Sequence, residues 1–216
     1  LARHHRQRFD YPVIGITGSN GKTIVKEWLF ELLSGEYNIV RSPKSYNSQI
    51  GVPLSVLLME DHFNLGIFEA GISQPGEMKY LQKIVRPDIG ILTNIGDAHQ
   101  ENFTSKIQKL QEKLQLFQLA KQLVFSADDE LTNPEIKEFC AKNNIKPVDW
   151  SLQNKNALIK FKIQSSDSGT VITANLQGKS FVFEVPFTDA SSIENACHCF
   201  AAASILTEKP KEIIPR

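Results

Sequence analysis

Gly15-Ile16-Thr17-Gly18-Ser19-Asn20-Gly21-Lys22-Thr23 follows an apolar run that begins at Val13 and leads into a segment of helical period, Lys22 to Leu33. Small residues in the turn let successive backbone N–H groups face inward on an anion, and a helix starting at Lys22 adds the partial positive charge of its N-terminus. Lys22 supplies a point charge, and the Thr23 hydroxyl is a hard oxygen ligand suited to Mg²⁺. The stretch therefore reads as a phosphate loop between a strand and a helix. It is a variant: the strict G-x-x-x-x-G-K-[ST] pattern would need glycine where Ile16 stands, and the glycine comes two residues later, at Gly18.

Outward from this loop, short β-rich runs alternate with helical segments. The expected strands are Val13 to Thr17, Asn38 to Arg41, Leu65 to Ala70, Ile89 to Asn94 and Leu123 to Ser126; the expected helices are Lys22 to Leu33, Gly76 to Val85 and Ser105 to Lys121. In the last, Ile107, Leu110, Leu114 and Phe117 form the apolar stripe of a helix with one buried face. Such alternation implies an α/β fold of P-loop type, a mainly parallel sheet with helices on both faces, whose ligands sit beyond the carboxyl ends of the strands. After a helix near Asn133 to Lys142 the pattern changes. Ala157 to Gln164, Thr170 to Leu176 and Phe181 to Val185 read as a small antiparallel meander, a subsheet of about residues 157–187, and a helix from about Ser192 to Leu206 follows. Residues 1–10 read as a solvated connecting helix, 11–207 as one domain and 208–216 as a linker.

The chain has 216 residues, enough to bury a sizeable core, and its 24 Lys plus Arg balance 24 Asp plus Glu. With no net charge there is no global field to draw a nucleic acid or an anionic membrane, so neither is expected as a partner, and any anion must be caught locally. No apolar run approaches the length of a membrane span and no signal-peptide pattern opens the chain, so the expected location is the cytoplasm. Cys140, Cys197 and Cys199 lack metal-type spacing and are expected to be buried, reduced thiols.

Magnesium beside a phosphate also needs further hard ligands. Glu69 ends an apolar strand, and Ala70-Gly71 would turn the chain there, at the carboxyl edge of the sheet beside Gly18 to Lys22. Asn94 closes the next strand in the same way, with His99 following in Gly96-Asp97-Ala98-His99. There is no N-K-x-D, which removes the base-recognition element of a regulatory GTPase.

With these residues in place, the chain resembles the central, ATP-binding domain of the Mur ligases over nearly all its length. Thr17 to Thr23 reproduce the family's T-G-[ST]-N-G-K-T, Glu69-Ala70-Gly71 is similar to its E-x-G strand end, and Thr93 to His99 to its T-N-I-x-x-A-H. Asn47-Ser48-Gln49-Ile50-Gly51-Val52-Pro53-Leu54 resembles the N-N-x-I-G-x-P-L of the branch that adds D-alanyl-D-alanine to a UDP-N-acetylmuramoyl tripeptide, and the resemblance places Asn47 and Ser48 toward that substrate. It implies that Gly18, Ser19, Asn20, Gly21 and Lys22 hold the β- and γ-phosphates of ATP and that Thr23 and Glu69 ligate one Mg²⁺. His99 would then serve a second Mg²⁺. The family's carbamylated lysine, a further ligand of that metal, falls at Lys113 by the spacing K-x-E-[IL]-F to Phe117. On periodicity alone Lys106, Lys109 and Lys113 share one edge of their helix and read as a solvated face. The family's glutamate two residues after the lysine is Gln115. Ile193-Glu194-Asn195-Ala196 resembles the adenine-contacting H-N-x-x-N-A, with Asn195 retained and Ser191 and Ser192 replacing the leading pair; Asn94 is expected near the nucleotide as well.

The activity this implies is ATP-driven amide formation through an acyl phosphate. Lys22, Lys113 and His99 are its catalytic residues, the UDP-N-acetylmuramoyl peptide and D-Ala-D-Ala its substrates, and flanking N- and C-terminal domains its partners in the same chain. Without those domains the segment is expected to be inactive in ligation. Another Mur ligase or a folylpolyglutamate synthetase shares the chemistry with a different acceptor, and a P-loop nucleotide-binding module without ligase activity remains the reading from another class.

Overall fold

The computed structural model describes residues 1–96, 102–153 and 156–207. Its strands are β1 (Val13–Thr17), β2 (Ile39–Arg41), β3 (Leu65–Glu69), β4 (Ile89–Leu92), β5 (Gln122–Ser126), β6 (Lys146–Ser151), β7 (Ile159–Ser166), β8 (Gly169–Leu176) and β9 (Lys179–Val185). They form one sheet in the order β2-β3-β1-β4-β5-β6-β7-β8-β9. Pairing is parallel from β2 through β7, and antiparallel from β7 to β8 and β8 to β9. The expected meander is thus present, joined to the main sheet through the parallel contact of β6 with β7.

The helices are α1 (Ala2–Arg6), α2 (Lys22–Leu33), α3 (Gly51–Val56), α4 (Met78–Val85), α5 (Lys106–Leu114), α6 (Asn133–Lys142) and α7 (Ala190–Leu206). Along β1 the pleat sends Ile14 and Ile16 to one face and Val13 to the other. The first face buries Val25, Leu29 and Leu33 of α2 and the Ala- and Cys-rich side of α7; the second buries residues of α1, α3, α4, α5 and α6. Both faces are therefore covered across the parallel strands β1 to β5, as such a sheet requires, while the meander leaves alternate side chains such as Ile163 and Val182 exposed.

Two local expectations are corrected and one strand is added. The helix read as Ser105 to Lys121 ends at Leu114 and tightens into a 3₁₀ turn over Gln115–Phe117, because Leu116 and Phe117 must drop into the second core beneath the sheet. Strand β6 escaped the pattern reading: Pro147 interrupts it, and its register beside β5 is a long-range fact. The first helix is not simply solvated. Arg6 is buried and donates to Val85 O at 3.0 Å, Phe9 O at 2.7 Å and Arg86 O at 3.3 Å, placing a cation where α4 ends. The three cysteines are buried and free, as expected. Among the described residues no helix is long and apolar enough to cross a membrane.

Helix α7 is fixed to the sheet by a polar bond inside the core. His198 is buried, its Nδ1 3.1 Å from Trp150 Nε1 and its Nε2 2.8 Å from Thr93 O. An indole N–H can only donate and a carbonyl can only accept, so the ring proton sits on Nε2 and the imidazole is neutral. Burial pushes its pKa down to about 4. In the unfolded chain the same group titrates near the usual value of about 6.5, so between these pH values the unfolded state binds more protons. Stability is therefore expected to fall as pH drops from about 6.5 to about 4, by on the order of 3 kcal/mol from this group. Urea unfolding at a series of pH values checks this: His198→Gln, which retains a donor and an acceptor, should lose stability less steeply with acid than the parent.

Candidate functional site

The phosphate loop is shaped by contacts from two sides. Gly18 has φ +150° and Gly21 φ +80°. A Cβ on Gly18 would fall 1.9 Å from Thr93 Oγ1, and one on Gly21 2.3 Å from Asn195 Oδ1. The left-handed φ favours glycine at both positions, and at Gly18 the crowding by Thr93 and the Asn94 backbone adds to it. Asn94 then grips the turn: its carbonyl accepts from Ser19 N at 2.8 Å and its side-chain oxygen from Asn20 N at 3.0 Å. Ser19 Oγ bonds both the carbonyl and the amide of Gly96, and Thr93 Oγ1 donates to Asn20 O at 2.5 Å. The amides of Ser19 and Asn20 are thus engaged by Asn94. The first-turn amides of α2, which have no acceptor within the helix, are the donors left to meet an anion.

Cations gather at the same place. Lys22 Nζ donates to Gly18 O at 2.8 Å and Ser19 O at 3.0 Å, and Lys113 Nζ reaches Gly18 O from the other side at 3.0 Å. Lys109, fully buried, donates to Gly96 O at 2.6 Å. The expectation of a solvated lysine face is corrected for both residues of the pair: α5 runs behind the loop, so Lys109 and Lys113 point into it, and only Lys106 stays partly exposed, paired with Asp129 at 2.5 Å. Desolvation, with Lys22 and Lys109 nearby, lowers the pKa of Lys113 to about 7. Burial likewise lowers that of Lys22, against the pull of Glu69.

Glu69 ends β3 where the sequence places it, with its side chain fully buried. Its Oε2 accepts from Thr23 Oγ1 at 2.8 Å, while Oε1 has no hydrogen-bond partner and lies 3.7 Å from Lys26 Nζ. Burial raises the pKa of the carboxyl, opposed by the Thr23 bond and by Lys26 and Lys22. A buried, half-satisfied carboxylate joined to a hydroxyl is an oxygen pair that fits Mg²⁺, whose remaining positions water and phosphate can fill. Among the described residues no group of three or more His, Cys, Asp or Glu side chains gathers into a metal cluster. His99 lies outside the described residues.

The loop opens on a cavity of about 280 Å³ that Lys22, Lys113, Asn47, Gln49, Ser73 and Glu77 help to line. Asn47 faces it and its carbonyl accepts from Gly71 N at 2.7 Å; the Ser48 hydroxyl accepts from Gly51 N at 3.1 Å, bracing the start of α3. A second depression of about 250 Å³ lies beyond Asn94, between Thr93, Ser126, Asp128, Asp129 and Glu194. Asn195 is buried against Gly21.

Sequence reading missed Lys26, Lys109, Glu112, Thr93 and His198. Lys26 could have been found, since it lies one helical turn after Thr23 and so faces Glu69 with it. Lys26 also donates to Ser42 O at 2.8 Å and to Lys44 O, and pairs with Glu27 at 2.9 Å, which ties the first turns of α2 to the segment after β2.

The family model of the Mur ligase middle domain matches residues 16–203. The UDP-N-acetylmuramoyl-tripeptide–D-alanyl-D-alanine ligase of Bacillus subtilis is 28% identical over 98% of this chain and 45% of its own length. The enzyme of the same name from Borreliella burgdorferi is 31% identical over 99% of this chain and 45% of its own. Among solved structures, MurF from Acinetobacter baumannii superposes with a TM-score of 0.89 at 22% identity, covering all of this chain and 48% of that one. MurF ligase from Thermotoga maritima in complex with ADP gives 0.85 at 23% identity, covering all of this chain and 50% of that one. This chain spans about half the length of the relatives it matches. Its fold, its loop and the match over residues 16–203 together make it a member of the Mur ligase family, in the part formed by the middle domain.

Proposed function

We propose that this chain binds ATP and Mg²⁺ as the middle domain of a ligase that joins D-Ala-D-Ala to a UDP-N-acetylmuramoyl tripeptide, acting in the cytoplasm together with flanking domains. The observation that carries the reading is the junction of the Gly18–Thr23 loop with the Thr23–Glu69 pair at the mouth of a cavity whose far wall is Asn47 and the Gly71–Glu77 turn. The names of the Bacillus and Borreliella relatives support the substrates, and the ADP complex of the Thermotoga enzyme supports the nucleotide.

In this reading the first-turn amides of α2 and Lys22 hold the β- and γ-phosphates, and the base lies toward the start of α7, near Asn195 and the depression beyond Asn94. Thr23 and Glu69 hold one Mg²⁺; His99 and Lys113 serve a second. Bound metal would neutralise charge on the transferring phosphoryl group. With a pKa of about 7, Lys113 is largely unprotonated at slightly alkaline pH. Its nitrogen lone pair can then form a bond to CO₂ with loss of a proton, which turns a cation into an oxygen-bearing anion.

The tripeptide's terminal carboxylate takes the γ-phosphoryl group, and ADP leaves. The amine of D-Ala-D-Ala then attacks the acyl carbon, and phosphate departs from the tetrahedral intermediate. The protein's residues position and neutralise; none acts as a covalent nucleophile on the substrate. Lys22 draws the migrating charge, and the wall formed by Asn47 and the turn after β3 orients the acceptor carboxylate.

In the complete ligase, ADP release should depend on the UDP-muramoyl peptide; turnover indifferent to that peptide would replace this reading by a simple ATPase. Lys22→Ala is expected to weaken nucleotide binding by roughly 100-fold, measured by calorimetric titration, because a desolvated cation at the phosphates is lost. Lys113→Ala should leave nucleotide affinity nearly unchanged and lower turnover by about 100-fold or more, with partial recovery in added formate. Unchanged turnover would assign the role to another lysine.

A further inference from the structure

Resting on the ligase reading above, we propose that Glu112 is a positioning residue that holds the substrate-facing turn after β3 in register with Lys113 across the cavity. Glu112 is buried on α5, immediately before Lys113 and on the adjoining side of the helix. Its Oε1 accepts from Gly76 N at 2.8 Å and Met78 N at 3.2 Å, and its Oε2 accepts from Gln115 Nε2 at 3.0 Å. One carboxylate therefore joins α5 to the beginning of α4, where backbone amides have no helical acceptor and the helix N-terminus favours negative charge. Hydrogen bonds to a charged acceptor in a buried setting are among the stronger ones.

Apart from the packing of Ile72 and Met78 into the core, the hydrogen bonds that tie this turn among the described residues run within it and to the Asn47 segment. Glu77 Oε2 accepts from Ser73 N at 2.7 Å and Gln74 N at 3.0 Å, closing the turn on its own side chain. Gly71 N donates to Asn47 O, and Gln49 Nε2 to Glu77 O at 3.4 Å. Ser73 and Glu77 line the cavity opposite Lys113. Glu112 hydrogen-bonds the turn's backbone from α5, so its side chain, with the packing of Met78 against Leu110 and Leu114 in the core, fixes the distance between this wall and Lys113. The position of Gln115 fits this: its amide donates to Glu112 and fixes the carboxylate's orientation, so the buried acid at this helix face stands one turn earlier than the resemblance to the family implies.

Two measurements on the complete ligase test the assignment. In Glu112→Ala, hydrogen exchange at the Gly76 and Met78 amides should accelerate about tenfold or more, and kcat/KM for the tripeptide precursor should fall by about tenfold or more, while ADP affinity stays within about twofold. Glu112→Gln keeps an oxygen for the two amides and can donate to a turned Gln115, so it should recover exchange protection and kcat/KM to within about threefold of the parent. Glu112→Asp withdraws the carboxylate by one methylene and gives the alanine pattern more weakly, which serves if the alanine variant does not fold. Unchanged exchange at Gly76 and Met78 overturns the proposal, as does loss of ADP affinity in proportion to kcat/KM, or a glutamine variant as impaired as alanine. Absence of any peptide-dependent turnover in the parent would refute the ligase reading instead, and the exchange data would still decide whether Glu112 holds the turn.

Discussion

The phosphate loop can take its shape only because two backbone positions carry no side chain at all. Thr93 occupies the space a Cβ on Gly18 would need, and Asn195 does the same at Gly21. These contacts come from opposite directions, one from the end of β4 and one from α7. The loop is therefore assembled by the closing of the fold, and the free first-turn amides of α2 are in place before any anion arrives. Preorganisation of this kind is what phosphoryl-transfer sites require, since they work by position and charge.

The same closing buries charge. Lys22, Lys26, Lys109 and Lys113 all converge on a small region at the carboxyl edge of the sheet, although the chain as a whole is neutral. Lys22 and Lys113 donate to carbonyls of the loop, Lys109 to Gly96 O, and Lys26 to Ser42 O and the Glu27 carboxylate. At Lys22, carbonyl dipoles satisfy the donors without neutralising the charge, which leaves a cation to face a polyanion. Glu69 is the acid set among these lysines, with one oxygen free of hydrogen bonds and 3.7 Å from Lys26 Nζ. His198 contributes from behind: by bonding Thr93 O and Trp150 it connects the strand that supports the loop to the helix that covers it.

The wall of the cavity away from the loop has a different origin. It is built from two turns, Asn47 to Ile50 and Gly71 to Glu77, that hold each other through backbone and side-chain bonds and reach α5 through Glu112. The loop and this wall thus rest on separate supports that meet at Lys113.

By itself the sequence determined the alternation of strands and helices, the loop, the placing of Glu69 and Asn94 at the carboxyl ends of neighbouring strands beside it, and the meander. All of these are local: a period of two or of 3.6, a run of small residues before Lys22, or an acid closing an apolar run. The bounds of β1 and α2 follow from it to the residue. Tertiary structure decided the rest. Whether the lysines of α5 face water or the loop depends on which side of the sheet the helix packs, and no periodicity distinguishes Lys106 from Lys113. Strand β6 exists because β5 offers it a parallel edge. Glu112 and His198 gain their partners only when segments 34 and 105 residues away are brought to them. Those contacts lie beyond any local pattern, because they arise from the order in which strands assemble and from which polar groups the core must then satisfy.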